Sequence, residues 1–427
     1  MENFFAELKW RGFIHSYSDG VEKHLADNTA TGYIGFDPTA PSLHIGSLLP
    51  IMGLVHLQKS GHSPIAIAGG GTGMIGDPSG KVQERKLLTM DEIQQNLTGI
   101  KKQLSQFLDF ETKRNPARLV NNAEWLSPLL FMDFLRDIGK HFSINEMMAK
   151  ESVKSRLGQE QGMSFTEFTY VLLQSFDFLE LYDRYGCTLQ MGGSDQWGNI
   201  VAGVDLIRRL RGADAHAIVF HLITTATGVK FGKSEIGTVW LDPEQTSPYR
   251  FYQFWFNTDD RDVVKYLKYF TLLSKEKITE LEHSMQASAE KREAQITLAK
   301  EATHMLHGET ALTQAVKATK IFFGGEISPK GGISETELLD IFCDVPSVEI
   351  TKDQLSGNGM PLIDLMVIAG VTKSKGEARR LIQGGGMYLN NLAISEVEKK
   401  ISMNDATSGK FVVLRKGRKN YFLVKVK

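Results

Sequence analysis

Two cysteines, Cys187 and Cys343, are all that the 427 residues contain, and neither has a Cys or His neighbour at metal-ligating spacing. A disulfide framework and a structural zinc site are therefore excluded as organising devices, and the chain reads as a protein of a reducing, cytoplasmic compartment. No stretch approaches the roughly 18 consecutive apolar residues that a membrane span needs, so none is expected. The segment Met1 to Trp10 has no basic region leading into an apolar run and is not read as a secretory signal. An excess of one charge is missing too, with 49 Lys and Arg against 50 Asp and Glu. A nucleic-acid partner would have to be met by local basic patches, not by the whole surface. There is no internal repeat and no low-complexity tract.

What is present is material for large cores. Hydrophobic residues make up 42% and charged residues 23%, and a chain of this length is expected to split into two or three domains. Thr31 to Phe36 is short, aromatic and β-branched, and Asp37-Pro-Thr-Ala-Pro41 follows as a turn. Leu43 to Lys59 reads as a helix with Leu43, Leu48, Met52, Val55 and Leu57 on its apolar stripe, closed by Gly61. Pro64 to Ala68 reads as a buried strand entering a glycine-rich turn. Strand, turn, helix and strand in this order predict a parallel α/β sheet with ligands at the carboxyl ends of its strands. From about Ser247 to Gly324 only helical signals occur, Gly324 to Gly332 has linker composition, and beyond about Pro361 the chain becomes small, mixed and locally basic. The expected organisation is a catalytic domain over 1–245, a helical domain over 246–323, a linker over 324–358 and a small α+β module over 359–427.

Two short segments carry chemistry. Leu43-His-Ile-Gly-Ser47 stands at a predicted helix start, where free backbone N–H groups and the positive end of the dipole attract phosphate. His44 would add a donor, and Gly46 would let a nucleotide lie close to the backbone. Alone, the same residues describe a satisfied histidine beside a helix cap. Lys230-Phe-Gly-Lys-Ser234 places two lysines around a glycine, where they could stabilise a departing pyrophosphate. Alone, that pentapeptide is a solvated Lys-rich turn.

Taken in order across one α/β sheet, the two segments resemble the HIGH and KMSKS motifs of class I aminoacyl-tRNA synthetases. Tyr33-Ile-Gly-Phe-Asp-Pro-Thr39, Gly73-Met-Ile-Gly-Asp-Pro-Ser79, Phe134 to Phe142, Ser164 to Phe168 and Gly192-Gly-Ser-Asp-Gln-Trp-Gly-Asn199 extend the resemblance to the bacterial tyrosyl-tRNA synthetases over essentially the whole chain. The chain departs from that pattern at Ser47, where the family often has a second His.

The resemblance implies a Rossmann-like catalytic domain that activates tyrosine with ATP and transfers it to tRNA. Tyr33 and Asp177 would read the substrate phenol. Asp77, Tyr170, Gln174 and Gln196 would hold its ammonium and carboxylate groups. Gly35, Asp37, Thr39, His44, Gly46 and Asp195 would line the ATP and adenylate site, with Ser47 beside His44. Lys81, Arg85, Lys230 and Lys233 would surround the pyrophosphate. Mg²⁺ would arrive with ATP, and no organic cofactor or zinc is implied. Read physically, Asp177 on an otherwise apolar helix needs a donor from the protein or from a ligand, or else an ion pair within the helical layer. Tyr170 at helical spacing is equally compatible with core packing.

The C-terminal stretch is similar to the RNA-binding module of ribosomal small-subunit protein four. Lys375, Arg379 and Arg380 fall on a predicted helix, and Arg415, Lys416, Arg418 and Lys419 on a strand and basic turn. The family is homodimeric, and Phe134 to Phe142 with Phe165 are the expected interface. Competing readings are a tryptophanyl-tRNA synthetase, a non-catalytic RNA-binding protein on a synthetase scaffold, and a general nucleotidyltransferase.

Overall fold

The computed structural model describes residues 3–79, 89–158, 162–226, 228, 231–234, 237–322, 334–342, 345–417 and 420–427. The chain divides into two compact units, residues 1–246 with 255–306, and residues 247–254 with 307–427.

The first unit is built on a six-stranded sheet of β1 (Ile14–Tyr17), β2 (Thr31–Phe36), β3 (Ser63–Ala68), β4 (Arg118–Asn121), β5 (Cys187–Gly193) and β6 (His216–Phe220), in the order β1-β6-β5-β2-β3-β4. β2 to β6 run parallel, and β1 closes the edge antiparallel to β6. All five residues of β6 and five of six in β3 are buried, as apolar strands covered on both faces must be. β2 pairs with β3 on one side and β5 on the other, so successive crossovers leave it in opposite directions. That reversal opens a crevice at the carboxyl ends of β2 and β5.

Helices cover the sheet. α1 (Leu48–Lys59) follows a single 3₁₀ turn at Ile45–Ser47, and nine of its twelve residues are buried, a wider contact than the stripe expected from sequence. Its carboxyl end turns through Gly61 at φ +88°. α2 (Met90–Leu104) starts at a Thr89–Glu92 capping box. α3 (Phe165–Tyr185) starts at a Ser164–Glu167 capping box and ends on left-handed Gly186. α4 (Trp197–Arg211) packs beside it.

The helical signals after Ser247 correspond to α5 (Pro248–Phe256), α6 (Asp260–Phe270), α7 (Lys275–Ala287) and α8 (Glu293–Phe322), the last broken at Gly308 with φ +77° and ψ 177°. Within 246–323, residues 255–306 belong to the first unit and the remainder, apart from 246, to the second. Within 324–358 lie α9 (Glu335–Ile341) and strand β9 (Ser347–Ile350).

In the second unit, β9 pairs parallel with β13 (Asn420–Val426). It completes a five-stranded sheet with β10 (Met387–Leu389), β11 (Leu392–Ala393) and β12 (Phe411–Lys416), in the order β11-β10-β12-β13-β9. α10 (Leu362–Ile368) and α11 (Lys375–Gln383) pack on it through Leu362, Leu365, Met366, Ala378 and Ile382. Among the described residues no helix is long and apolar enough to cross a membrane.

Candidate active site

A cavity of about 180 Å³ lies in the crevice between β2 and β5. Tyr33, Gly35 and Asp37 reach it from β2 and its exit, Gln190 and Gly193 from β5, and Asp195 and Gln196 from the turn into α4. Tyr170, Gln174 and Asp177 reach it from α3, where spacings of four and three residues set them on one face. Asp77 completes the wall from the glycine-rich loop after β3.

At the base of the cavity, Asp177 is 4% exposed and forms no ion pair among the described residues. The protein supplies two neutral donors instead. Trp125 Nε1–H donates to Oδ1 at 2.7 Å, and Asn122 Nδ2–H donates to Oδ2 at 2.9 Å. Asn122 is itself held by Thr72 and by the Gly71 N–H. Burial pushes the Asp177 carboxyl up to about 7 against the opposing pull of Asn122 and Trp125. Tyr33 is 1% exposed, its hydroxyl has no partner among the described residues, and burial with the nearby Asp177 charge drives its ionisation well above the usual phenol range. The base of the cavity thus offers one carboxylate and one neutral, unpaired hydroxyl.

At the other end the polar groups are interlocked. Gln196 Nε2–H donates to Asp77 Oδ2 at 2.7 Å, while Ser79 N–H donates to Oδ1 at 2.9 Å. Asn199 Nδ2–H donates to Gln174 Oε1 at 3.0 Å. The network aims a carboxylate and two amides into the cavity, a set suited to an ammonium and a carboxylate on one small ligand.

His44, Gly46 and Ser47 do not line this cavity, and neither does Thr39. His44 caps the 3₁₀ turn before α1, and its Nδ1 accepts the Gly46 N–H at 3.0 Å. An imidazole that accepts at Nδ1 carries its proton on Nε2, so the outer nitrogen is the donor. A Cβ on Gly46 would lie 2.7 Å from His44 Cε1, which is why the residue two after His44 must be glycine. Val239, Trp240 and Leu241, downstream of Phe231–Ser234, lie against this turn. Ile45 N–H donates to Val239 O, Leu241 N–H donates to Leu43 O, and His44 and Trp240 form an isolated antiparallel bridge. Gly232 sits at φ +87°, with its would-be Cβ 2.8 Å from Ile45 Cγ2. Phe231 is buried, stacked on Phe270 at 5.5 Å and edge-on to Tyr266 at 5.2 Å. Lys233 is described through its backbone, in a two-residue strand that pairs with Gly237–Thr238. Lys81, Arg85, Lys230, Arg418 and Lys419 lie outside the described residues.

The cavity therefore brings together Tyr33, Asp77, Tyr170, Gln174, Asp177 and Gln196, expected around the tyrosine, with Gly35, Asp37 and Asp195, expected at the ATP and adenylate site. Three further residues were not legible. Asn122 and Trp125 come from the end of β4 and a four-residue helix, joined to Asp177 only by the pairing of β3 with β4. Gln190, 3% exposed and opposite Tyr33 in the β2–β5 register, has an Oε1 without a partner among the described residues. Its signal was present as a lone Gln in an otherwise apolar strand. Among the described residues, no group of three or more His, Cys, Asp or Glu could hold a metal ion.

In the second unit, Lys375, Arg379 and Arg380 are exposed on α11, and Lys416 bonds Glu377 at 3.1 Å beside them. Arg415 departs from the expected basic surface. It is 8% exposed with its guanidinium 3.8 Å over the Tyr388 ring, because Tyr388 and Tyr421 stand opposite it on the two neighbouring strands and cover it. Lys373, exposed before the helix, was not among the expected residues.

Residues 26–324 match the family model for class I tRNA synthetases (W and Y), and residues 337–424 match the tyrosine–tRNA ligase SYY-like C-terminal domain. The fold is that of a class I tRNA synthetase. The chain is 53% identical over 426 residues to the tyrosine–tRNA ligase of Roseiflexus castenholzii, covering 100% of both. It is 50% identical over 426 residues to that of Geobacillus stearothermophilus, covering 99% of each. Among solved structures, a C-terminally truncated mitochondrial tyrosyl-tRNA synthetase of Aspergillus nidulans is similar, with a TM-score of 0.69 and 29% identity over 75% of this chain and 95% of that one. The chain belongs to the tyrosine–tRNA ligase family.

Proposed function

We propose that the β2–β5 cavity is the tyrosine site of a ligase that first joins tyrosine to ATP-derived AMP and then to tRNA. The observation that carries this reading is the pair at the base of the cavity, a buried carboxylate beside a buried hydroxyl that has no partner among the described residues. A phenol answers both, donating to Asp177 and accepting from Tyr33. Phenylalanine would leave both unpaired, and an indole N–H could donate to Asp177 but could not accept from Tyr33. Asp77, Tyr170, Gln174 and Gln196 then hold the ammonium and carboxylate groups.

The tyrosine carboxylate attacks the α-phosphate and pyrophosphate leaves, so catalysis rests on positioning and on donors aimed at developing charge. His44 Nε2–H is such a donor, with Ser47 beside it. Gly35, Asp37, Thr39, Gly46 and Asp195 border the nucleotide, and Lys81, Arg85, Lys230 and Lys233 serve the pyrophosphate. Mg²⁺ enters with ATP on its phosphate oxygens. The acyl group then passes to a ribose hydroxyl of the terminal adenosine of tRNA. The second unit contributes tRNA contact through Lys375, Arg379, Arg380 and Lys416.

A homodimer is part of the same proposal. Phe131, Met132, Ile144 and Phe165 are exposed apolar side chains, with Phe165 69% exposed. Phe134, expected in that surface, is turned into the first unit's own core. A cytoplasmic setting is supported by Cys187, a free and buried thiol.

The test is ATP–pyrophosphate exchange with tyrosine, tryptophan and phenylalanine supplied separately, without tRNA. Exchange with tyrosine alone is expected. Equal exchange with tryptophan, or none with any of the three, would overturn the reading of the cavity.

A further inference from the structure

We infer that Trp240 is a positioning residue for His44, tying the orientation of the imidazole to the segment that follows Lys230–Ser234. The inference rests on the reading of His44 as the phosphate donor. Trp240 belongs to none of the motifs by which the chain was read, yet it is the residue directly opposite His44 in an isolated antiparallel bridge. Hydrogen bonds flank the bridge on both sides, Ile45 N–H to Val239 O at 2.9 Å and Leu241 N–H to Leu43 O at 2.9 Å, so the register is fixed. Residues opposed without direct hydrogen bonds between them bring their side chains close. Accordingly the Trp240 ring meets the His44 ring edge-on, with centroids 6.3 Å apart and planes at 65°.

His44 has a second restraint, the Gly46 N–H on Nδ1. That bond fixes which nitrogen carries the proton, and rotation about it would change the tilt of the ring. The Trp240 edge limits that tilt and so sets where Nε2–H points. Trp240 is in turn anchored from behind, its N–H donating to the buried Thr246 Oγ1 at 2.9 Å. On the other side, Val239 N–H donates to Gly232 O at 3.2 Å. A displacement at Gly232 is therefore passed through Val239 and Trp240 to the histidine, and the two motifs are mechanically one unit. The orientation of a donor that acts on a developing charge governs the rate of the step far more than it governs binding of the amino acid.

The test is a double-mutant cycle in the full-length protein, read by tyrosine-dependent ATP–pyrophosphate exchange and by tyrosine binding without ATP. Trp240→Ala is expected to lower kcat about tenfold with tyrosine affinity unchanged, and Trp240→Phe to recover most of the loss. In a His44→Ala background, Trp240→Ala is expected to cost nothing further. Equal fold-losses in both backgrounds would overturn the inference, as would a weaker tyrosine affinity at unchanged kcat. Should Trp240→Ala lose tyrosine binding through misfolding, Trp240→Leu, which keeps an apolar side chain there, is carried through the same cycle with the same expectations. If His44→Ala alone left exchange unchanged, the reading of His44 itself would fall, a separate outcome from failure of the Trp240 coupling.

Discussion

The indole N–H of Trp125 donates to Asp177 Oδ1 across 2.7 Å, joining a four-residue helix after β4 to the middle of α3. A donor to one oxygen favours the ionised carboxylate, and here it opposes the burial that has already lifted the carboxyl to about 7.

Removing that donor while keeping an aromatic ring is expected to lift Asp177 further. In Trp125→Phe the pH at which tyrosine binding reaches half its maximum should rise by about one unit, the size expected for one hydrogen bond to a charged group. Affinity at neutral pH should fall and recover as pH is raised. Equilibrium binding measured from about pH 6 to 9 checks this. An unchanged midpoint would mean that Asp177 is not the group read by the phenol.

The contrast between Asp177 and its partners explains what sequence could reach. Tyr170, Gln174 and Asp177 were reached through the family resemblance, Asp177 also because a carboxylate on an otherwise apolar helix needs a donor, and β2 because its exit turn is rich in proline. Asn122 and Trp125 were not, because the link from β4 to α3 spans more than 50 residues and arises only from strand pairing. Arg415 was misread for a local reason. A basic run suggests a solvated surface, but β12 is buried from Phe411 to Arg415, and the cross-strand rings of Tyr388 and Tyr421 cover the guanidinium. The division into two units was also beyond composition, since the Gly308 break falls inside a continuous helical pattern.

His56, in the last turn of α1, gives a prediction about acid stability. It is 3% exposed, packs edge-on against Phe13, and its Nε2 has no partner among the described residues. Burial, with smaller contributions from Arg11 and Lys59, lowers it to about 3. Between that value and its ordinary 6.5 the unfolded chain binds the proton and the folded chain does not, so stability falls as pH falls through this window. The full effect is on the order of 5 kcal/mol. His56→Leu should flatten the acid limb of a melting-temperature profile between those pH values while leaving the neutral plateau little changed. A limb as steep as the parent's would show that other groups dominate.

Phe231 fixes the start of the Phe231–Ser234 segment in a socket of Phe270, Tyr266 and Trp255. Phe231→Ala removes that anchor without touching the tyrosine cavity. The expected result is an unchanged tyrosine affinity, a raised KM for ATP and a kcat for exchange lower by about tenfold, because the cost falls on the groups proposed to serve the pyrophosphate. Phe231→Leu should lie between the two. A change confined to tyrosine affinity would contradict the separation of the two sites.

Phe131 and Phe165 stand on the exposed apolar surface, at 64% and 69% exposure. Large apolar side chains in that number are costly in water, and a self-complementary contact with a second copy would bury them. Aspartate at either position would place a charge in the contact, where it is desolvated without a partner. Phe131→Asp and Phe165→Asp should therefore sediment as monomers at concentrations where the parent is a dimer, each retaining the parent's circular dichroism because neither side chain is part of the core. A dimer that persists in both variants would move the interface to another face of the molecule.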